Sequence, residues 1–199
     1  VIAALRDRRA RADSGEAGFT LIELLVYSAM AVVILALVSS FMISAVRSQR
    51  DVRAVTEAST LGQLLATSVK QGVRNASGLQ LTNRPDGSIL LMARTANPGA
   101  AALSWSCQAW YFDPVNGAVY TTKRSNETAI TVPAGGPKGS WTVLGDGISA
   151  VAGAAVFATR PSGIDMHFSV SAGTSRQPVR VQTSAVQRTP GLVGSPCFS

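Results

Sequence analysis

From Leu24 to Val46 the chain runs through 23 residues without a charge, and a single carboxylate, Glu23, stands at the front of that run. About 20 consecutive apolar residues are enough for a helix to cross the hydrocarbon core of a bilayer. Arg47 closes the run. An acid inside such a segment is costly in lipid, and it marks a functional position because it must find a partner. This stretch therefore predicts a membrane-spanning helix in the first quarter of the chain, the plain alternative being an ordinary signal anchor with a stray acid.

The flanks decide how the span is oriented and whether it is kept. Residues 1–18 carry Arg6, Arg8, Arg9 and Arg11 against Asp7, Asp13 and Glu16, a net charge of +1. Basic residues ahead of an apolar span hold that end in the cytoplasm. A secretory signal is cut after its apolar region at small residues. No such site follows Val46 closely, and Ser44-Ala45-Val46 at the end of the run is only a weak version of one, so the helix is expected to stay in the mature protein. The chain opens on Val1 rather than Met, which leaves the length of the leader open.

The order Gly18-Phe19-Thr20-Leu21-Ile22-Glu23-Leu24-Leu25-Val26 resembles the class III signal of type IV prepilins and type II secretion pseudopilins. The resemblance implies a leader ending at Gly18, cleavage after it by a prepilin peptidase, and N-methylation of Phe19 by the same enzyme. It places Glu23 at the fifth mature position, as the acid that sets register during assembly. The implied partners are other pilins or pseudopilins, met through the N-terminal helix, and an inner-membrane assembly platform. The implied location is the cytoplasmic membrane, single-pass with the leader inside, and then an extracellular or periplasmic filament. The chemistry of Glu23 agrees: cleavage frees a cationic amine on Phe19, with which a buried carboxylate of the same or a neighbouring subunit can pair.

No proline occurs before Pro85, and after Arg47 the pattern turns amphipathic, with Val52, Val55, Leu61, Leu65, Val69 and Val73 among charged and polar residues. That spacing predicts one helix from Phe19 to about Asn75, roughly 85 Å at 1.5 Å per residue, with Gly62 and Gly72 as weak points. Asn75-Ala76-Ser77-Gly78 reads as its stop. The expected division is leader 1–18, membrane or filament-core helix 19–46, amphipathic continuation 47–77 and β-rich head 78–199. The fold class is α+β: a long N-terminal helix packed on a mainly antiparallel, pilin-like head.

Strand grammar begins at Leu79. Residues 79–82 and 88–93 flank Arg84-Pro85-Asp86-Gly87 as a hairpin, and a small-residue loop covers 96–102. The strong strand 105–112 returns as 118–122 through Asp113-Pro114-Val115-Asn116-Gly117. A Gly/Pro loop at 133–140 leads to the segment 141–148. Residues 151–159 and 164–171 flank Arg160-Pro161-Ser162-Gly163 as a second hairpin, and 179–186 forms the last strand before a Gly/Pro tail. The aromatic strand Trp110-Tyr111-Phe112, the Asn116-Gly117 turn, Tyr120 and Val143-Leu144-Gly145-Asp146-Gly147-Ile148 resemble the heads of W-type minor pilins and J-type pseudopilins.

The remaining chemistry is sparse. With one His and no Cys-x-x-Cys pair, neither a metal site of ordinary spacing nor a cofactor is expected, and no catalytic motif is present. Asp165 and His167 fall two apart on one strand face and could pair, as a surface or edge feature. Trp105, Trp110 and Trp141 read as core filling between sheet and helix, or as a stacking surface. Cys107 and Cys197 are expected to form one disulfide in an oxidising exterior, the alternative being two buried free thiols. Fifteen of the 18 basic residues are Arg, which suits phosphate contacts. Arg124, Arg160, Arg176, Arg180 and Arg188 of the head leave three readings: a minor pilin, a secretion pseudopilin, or a DNA-binding minor pilin in DNA uptake. Solvated charge is the alternative to a nucleic-acid surface.

Mass spectrometry of the mature N-terminus should show a chain starting at N-methylated Phe19. Gly18→Leu should abolish cleavage, because a bulky residue keeps the backbone from a close approach to the peptidase. A chain cut near Ala45, or not cut at all, contradicts the resemblance.

Overall fold

The computed structural model describes residues 20–96, 104–174, 176–188 and 195–198. The chain divides into two compact units, residues 1–49 and 50–199, and one helix, α1 (Leu21–Arg74, 54 residues), carries residues of both. The class is the expected α+β, a long N-terminal helix packed on antiparallel sheets.

In the first unit, α1 opens at Thr20. Its Oγ1 accepts the Glu23 amide at 3.3 Å and its carbonyl accepts the Glu23 and Leu24 amides at 3.0 and 3.2 Å. Thr20-x-x-Glu23 thus has the spacing of a helix-capping pair, with the acid in the first turn where the helix dipole favours negative charge. Every residue from Leu21 to Arg50 is exposed. One stretch of this helix is long and apolar enough to cross a membrane.

In the second unit, α1 buries a stripe made of Ala58, Gly62, Leu65, Ala66, Val69, Gly72 and Val73. The expected stripe is only half right. Leu65, Val69 and Val73 are buried, but Val52 and Val55 are exposed. The stripe starts later and is completed by small residues. The two helical glycines are points of close approach. A Cβ on Gly62 would lie 2.8 Å from Val181 Cγ2, and one on Gly72 would collide with the Trp110 ring.

The head folds into two sheets. The first holds β1 (Ala76–Asn83), β2 (Ile89–Ala96), β3 (Trp105–Asp113), β4 (Ala118–Ser125) and β5 (Thr142–Gly145), antiparallel in chain order. The second centres on β8 (Gly163–Val170). β9 (Val179–Val186) runs the whole of one edge, and β7 (Phe157–Arg160) and β6 (Ile148–Ala150) share the other. The expected hairpins 79–93 and 105–122 form, and the one expected between 151–159 and 164–171 forms over the shorter span Phe157–Arg160 and Gly163–Val170. Three boundaries differ. The segment expected to stop the helix already pairs as β1 from Ala76, because its amides join β2 across a bulge at Ala76/Gly78. The single segment 141–148 splits between sheets at Asp146-Gly147, where Gly147 has φ +64°. Residues 151–156 are not strand. The expected loop at 97–102 and most of the tail fall outside the described residues.

Local chemistry sets the turns. In the β1–β2 hairpin the Gly87 amide donates to the Arg84 carbonyl at 3.0 Å and Gly87 takes φ +80°, the type I turn with a left-handed glycine that Pro85 and Gly87 favour. Asp86 Oδ1 accepts the Ser88 hydroxyl at 2.6 Å and the Ser88 amide at 2.9 Å. These bonds, the hydroxyl's first, hold the Asp86 carboxyl below its ordinary pKa.

Alternation along the strands sorts the core into two layers. Ile89, Leu91 and Ala93 of β2, Trp110 and Phe112 of β3, and Ile164, Met166, Phe168 and Val170 of β8 join the helix stripe. The opposite faces of β2 and β3 are also buried: Leu90, Met92, Cys107, Ala109 and Tyr111 cluster with Ile130 and Cys197. This explains the unbroken apolar run Ile89-Leu90-Leu91-Met92-Ala93, since a strand covered on both faces loses its polar alternation.

Gly72→Ala tests the close approach. Ala gains about 1 kcal/mol of helix propensity over Gly, but overpacking costs typically about 1–3 kcal/mol. The Trp110 ring is wholly buried and its Nε1 donates to Ser68 Oγ at 3.0 Å, so it cannot simply turn aside. Chemical denaturation should show a net loss of about 1–2 kcal/mol, and Gly62→Ala should lose less, because Val181 can change rotamer. A raised midpoint for Gly72→Ala would show that the ring yields.

Candidate functional site

Three features hold the residues that could act: the start of α1, the outer face of the first sheet, and a groove beside the last turns of α1.

At the start of α1, Glu23 is exposed, and Tyr27 one turn on donates its hydroxyl to Glu23 Oε1 at 3.4 Å. The carboxylate thus has a local partner at i+4 as well as the helix dipole. Thr20 and Tyr27 are companions of Glu23 that the sequence reading missed; the Thr-x-x-Glu spacing is a legible signal for the first. Gly18 and Phe19, the expected cleavage and methylation residues, lie outside the described residues.

On the outer face of the first sheet, Cys107 and Cys197 are joined in a disulfide with Cα atoms 5.4 Å apart across a sequence separation of 90. Both residues are buried. Phe198, Val132 and Trp141 pack at the margin of the same cluster, and Tyr111 meets the Trp141 ring edge-on at 6.2 Å. The three tryptophans therefore do not form one surface. Trp110 fills the layer under the helix, as expected of core filling, while Trp141 covers the opposite face of the sheet. Trp105 carries the Arg94 guanidinium 3.9 Å above its ring, and Arg94 also pairs with Glu127. That tower had a sequence signal, a lone Arg on the same strand face as Leu90 and Met92.

The Asp165–His167 pairing does not form. Asp165 binds Arg160 across the β7–β8 turn at 3.1 Å. His167 lies on the central strand rather than at an edge, with its amide donating to the Val156 carbonyl at 3.1 Å and Gln182 opposite on β9. Among the described residues no group of three or more His, Cys, Asp or Glu could hold a metal ion. The five head arginines are not gathered. Arg160 pairs with Asp165 and Arg176 with Asp51. Arg180 stands at the start of β9 and Arg188 two residues past its end, and Arg124 lies on β4 opposite Cys107.

The groove, about 1110 Å³ in volume, lies between the last turns of α1 and the ends of β2, β3 and β4. Leu64, Gln71, Trp105, Gln108 and Leu144 line it, together with the cations Arg74, Arg94, Lys123 and Arg188. Among the described residues no Asp or Glu lines it. Arg94 is held by Glu127; among the described residues Arg74, Lys123 and Arg188 have no carboxylate within ion-pair distance.

No protein-family model, curated protein or solved structure matches the chain.

A disulfide closing a loop of this size stabilises by on the order of 4 kcal/mol in the chain-entropy account, with measured losses on removal of about 2–5 kcal/mol. Cys197→Ser should lower the denaturation midpoint accordingly and expose the C-terminal tail to limited proteolysis. An unchanged midpoint and an intact tail would mean that the packing of Trp141 and Phe198 alone holds this face.

Proposed function

We propose that this protein is a non-enzymatic minor type IV pilin, a subunit that initiates, caps or decorates a filament after its leader has been removed. The observation that carries the reading is the division of α1. From Leu21 to Val46 it is apolar and exposed throughout, with one carboxylate in its first turn, while from Ala58 to Val73 it is the buried spine of a disulfide-bonded head. An exposed apolar surface of that extent calls for lipid or for the helices of neighbouring subunits. The same surface accommodates each in turn, the membrane before assembly and a bundle of helices after it.

In this reading Glu23 pairs with the N-terminal amine of Phe19, on its own or a neighbouring chain, and sets axial register. Prepilin peptidase and an inner-membrane assembly platform are the partners on the way. Loss of a first-turn acid costs the helix only about 0.3–1 kcal/mol, so a capping role alone predicts a mild effect. A secretion pseudopilin is the second reading, supported by the same division of α1. Filaments sheared from the cell surface, as against secretion of substrates through an outer-envelope channel, separate the two.

Glu23→Ala should be processed at Gly18 and retained in the membrane at normal levels, yet be depleted from purified filaments when probed by immunoblot. Wild-type incorporation of Glu23→Ala would remove the registry role and leave the acid as a helix cap.

A further inference from the structure

The groove beside the end of α1 has no part in the assembly role of the N-terminal helix. We infer that it is a docking site for an acidic peptide segment of a second, different protein. Charge gives the sign of the occupant. Four cations line the groove without an acid among them, and three of them have no carboxylate partner among the described residues. Guanidinium groups bind carboxylates as planar forks, and Arg74 and Arg188 supply two.

The wall between the cations gives the class. Leu64 and Leu144 offer apolar contact, and Leu64 is 53 % exposed. The side-chain amides of Gln71 and Gln108 can both donate and accept, which matches a peptide backbone. At about 1110 Å³ the groove exceeds the ordinary range for a small ligand, about 300–1,000 Å³. Nucleic acid fits less well. Single strands use open aromatic faces for stacking, and here the Trp105 face is occupied by Arg94 at 3.9 Å. A phosphate track also asks for a row of cations, whereas these are interrupted by leucine and glutamine. A second copy of the chain is disfavoured by its net charge of +7, which makes self-association at a basic groove repulsive.

The test is fluorescence anisotropy of the full chain in a neutral detergent, with the labelled peptide DELDELDEL, its neutral counterpart NQLNQLNQL, and a short DNA duplex as competitor. The acidic peptide should bind saturably and the neutral one should not. Lys123→Gln combined with Arg188→Gln should weaken binding about tenfold, the loss expected for two partly solvated charge contacts, and Leu64→Glu should do the same from the apolar wall. Arg124→Gln combined with Arg180→Gln removes the same two charges outside the groove and should stay within about twofold. Leu64, Lys123, Arg124, Arg180 and Arg188 are all exposed, and near-ultraviolet circular dichroism of the buried Trp110 checks that each variant keeps its fold. Absence of saturable binding, equal binding of NQLNQLNQL, or an equal loss in the Arg124→Gln, Arg180→Gln double variant would overturn the assignment. Displacement by DNA at lower concentration than by unlabelled peptide would overturn it in favour of a phosphate site.

Discussion

The close approach of α1 to the two sheets is the contact on which the head depends. Protein interiors are packed to crystal-like density, so a helix can lie this near a sheet only where its side chains are absent or small. Gly72 leaves room for the Trp110 ring, and Gly62 for Val181, Val170 and Phe168. Ala58 and Ala66 continue the flat stripe, and Leu65, Val69 and Val73 fill the gaps between. A single helix face thereby touches strands of both sheets, which do not share a continuous hydrogen-bonded ladder. The second sheet is also tied to the first by a backbone bond at the crossover. The Ile148 amide of β6 donates to the Gly117 carbonyl of the β3–β4 turn at 2.8 Å, and the Ser171 amide to the Gly147 carbonyl at 2.8 Å extends the β6–β8 pairing up to that crossover.

A second layer lies on the far side of the first sheet. β2 and β3 are apolar on both faces, and a sheet with only the helix as cover would leave Leu90, Met92 and Tyr111 in water. The segment carrying Ile130, Val132 and Trp141, with the C-terminal Cys197 and Phe198, provides the cover. Neither piece has much regular structure of its own. The disulfide to Cys107 supplies what backbone pairing does not, so a fold with a small core gains a covalent tie where hydrogen bonds are few.

The two halves of α1 differ in what covers their apolar residues, and that difference organises our functional reading. In the first half the apolar residues point in every direction, as a helix surrounded by lipid or by other helices requires. In the second half the exposed face carries ion pairs such as Arg53–Glu57 at 2.8 Å, and the opposite face is buried. Glu23 belongs to the first half, where its carboxylate accepts the Tyr27 hydroxyl and its amide donates to Thr20 Oγ1. The basic groove belongs to the second half, where folding brings together cations that lie far apart along the chain.

The sequence by itself determined the helix and most strands, because those are recorded in local periodicity and turn chemistry. The uncharged run from Leu24, the absence of proline before Pro85, and turn residues such as Pro85-Asp86-Gly87 and Asn116-Gly117 each specify nearby backbone. The pairing of Cys107 with Cys197 was legible because only two cysteines exist. Tertiary structure decided what depends on residues distant in sequence. Gly62 and Gly72 read locally as helix-weakening and became contact points only when Val181 and Trp110 arrived against them. Asp165 paired with Arg160 rather than His167, because the β7–β8 turn brings the arginine back beside it and β8 is central, not marginal. Val52 and Val55 keep helical spacing yet stay exposed, since the stripe is buried only where a sheet lies opposite. The groove joins Arg74, Arg94, Lys123 and Arg188; no local pattern encodes that meeting, because charge complementarity acts through space while periodicity acts along the chain.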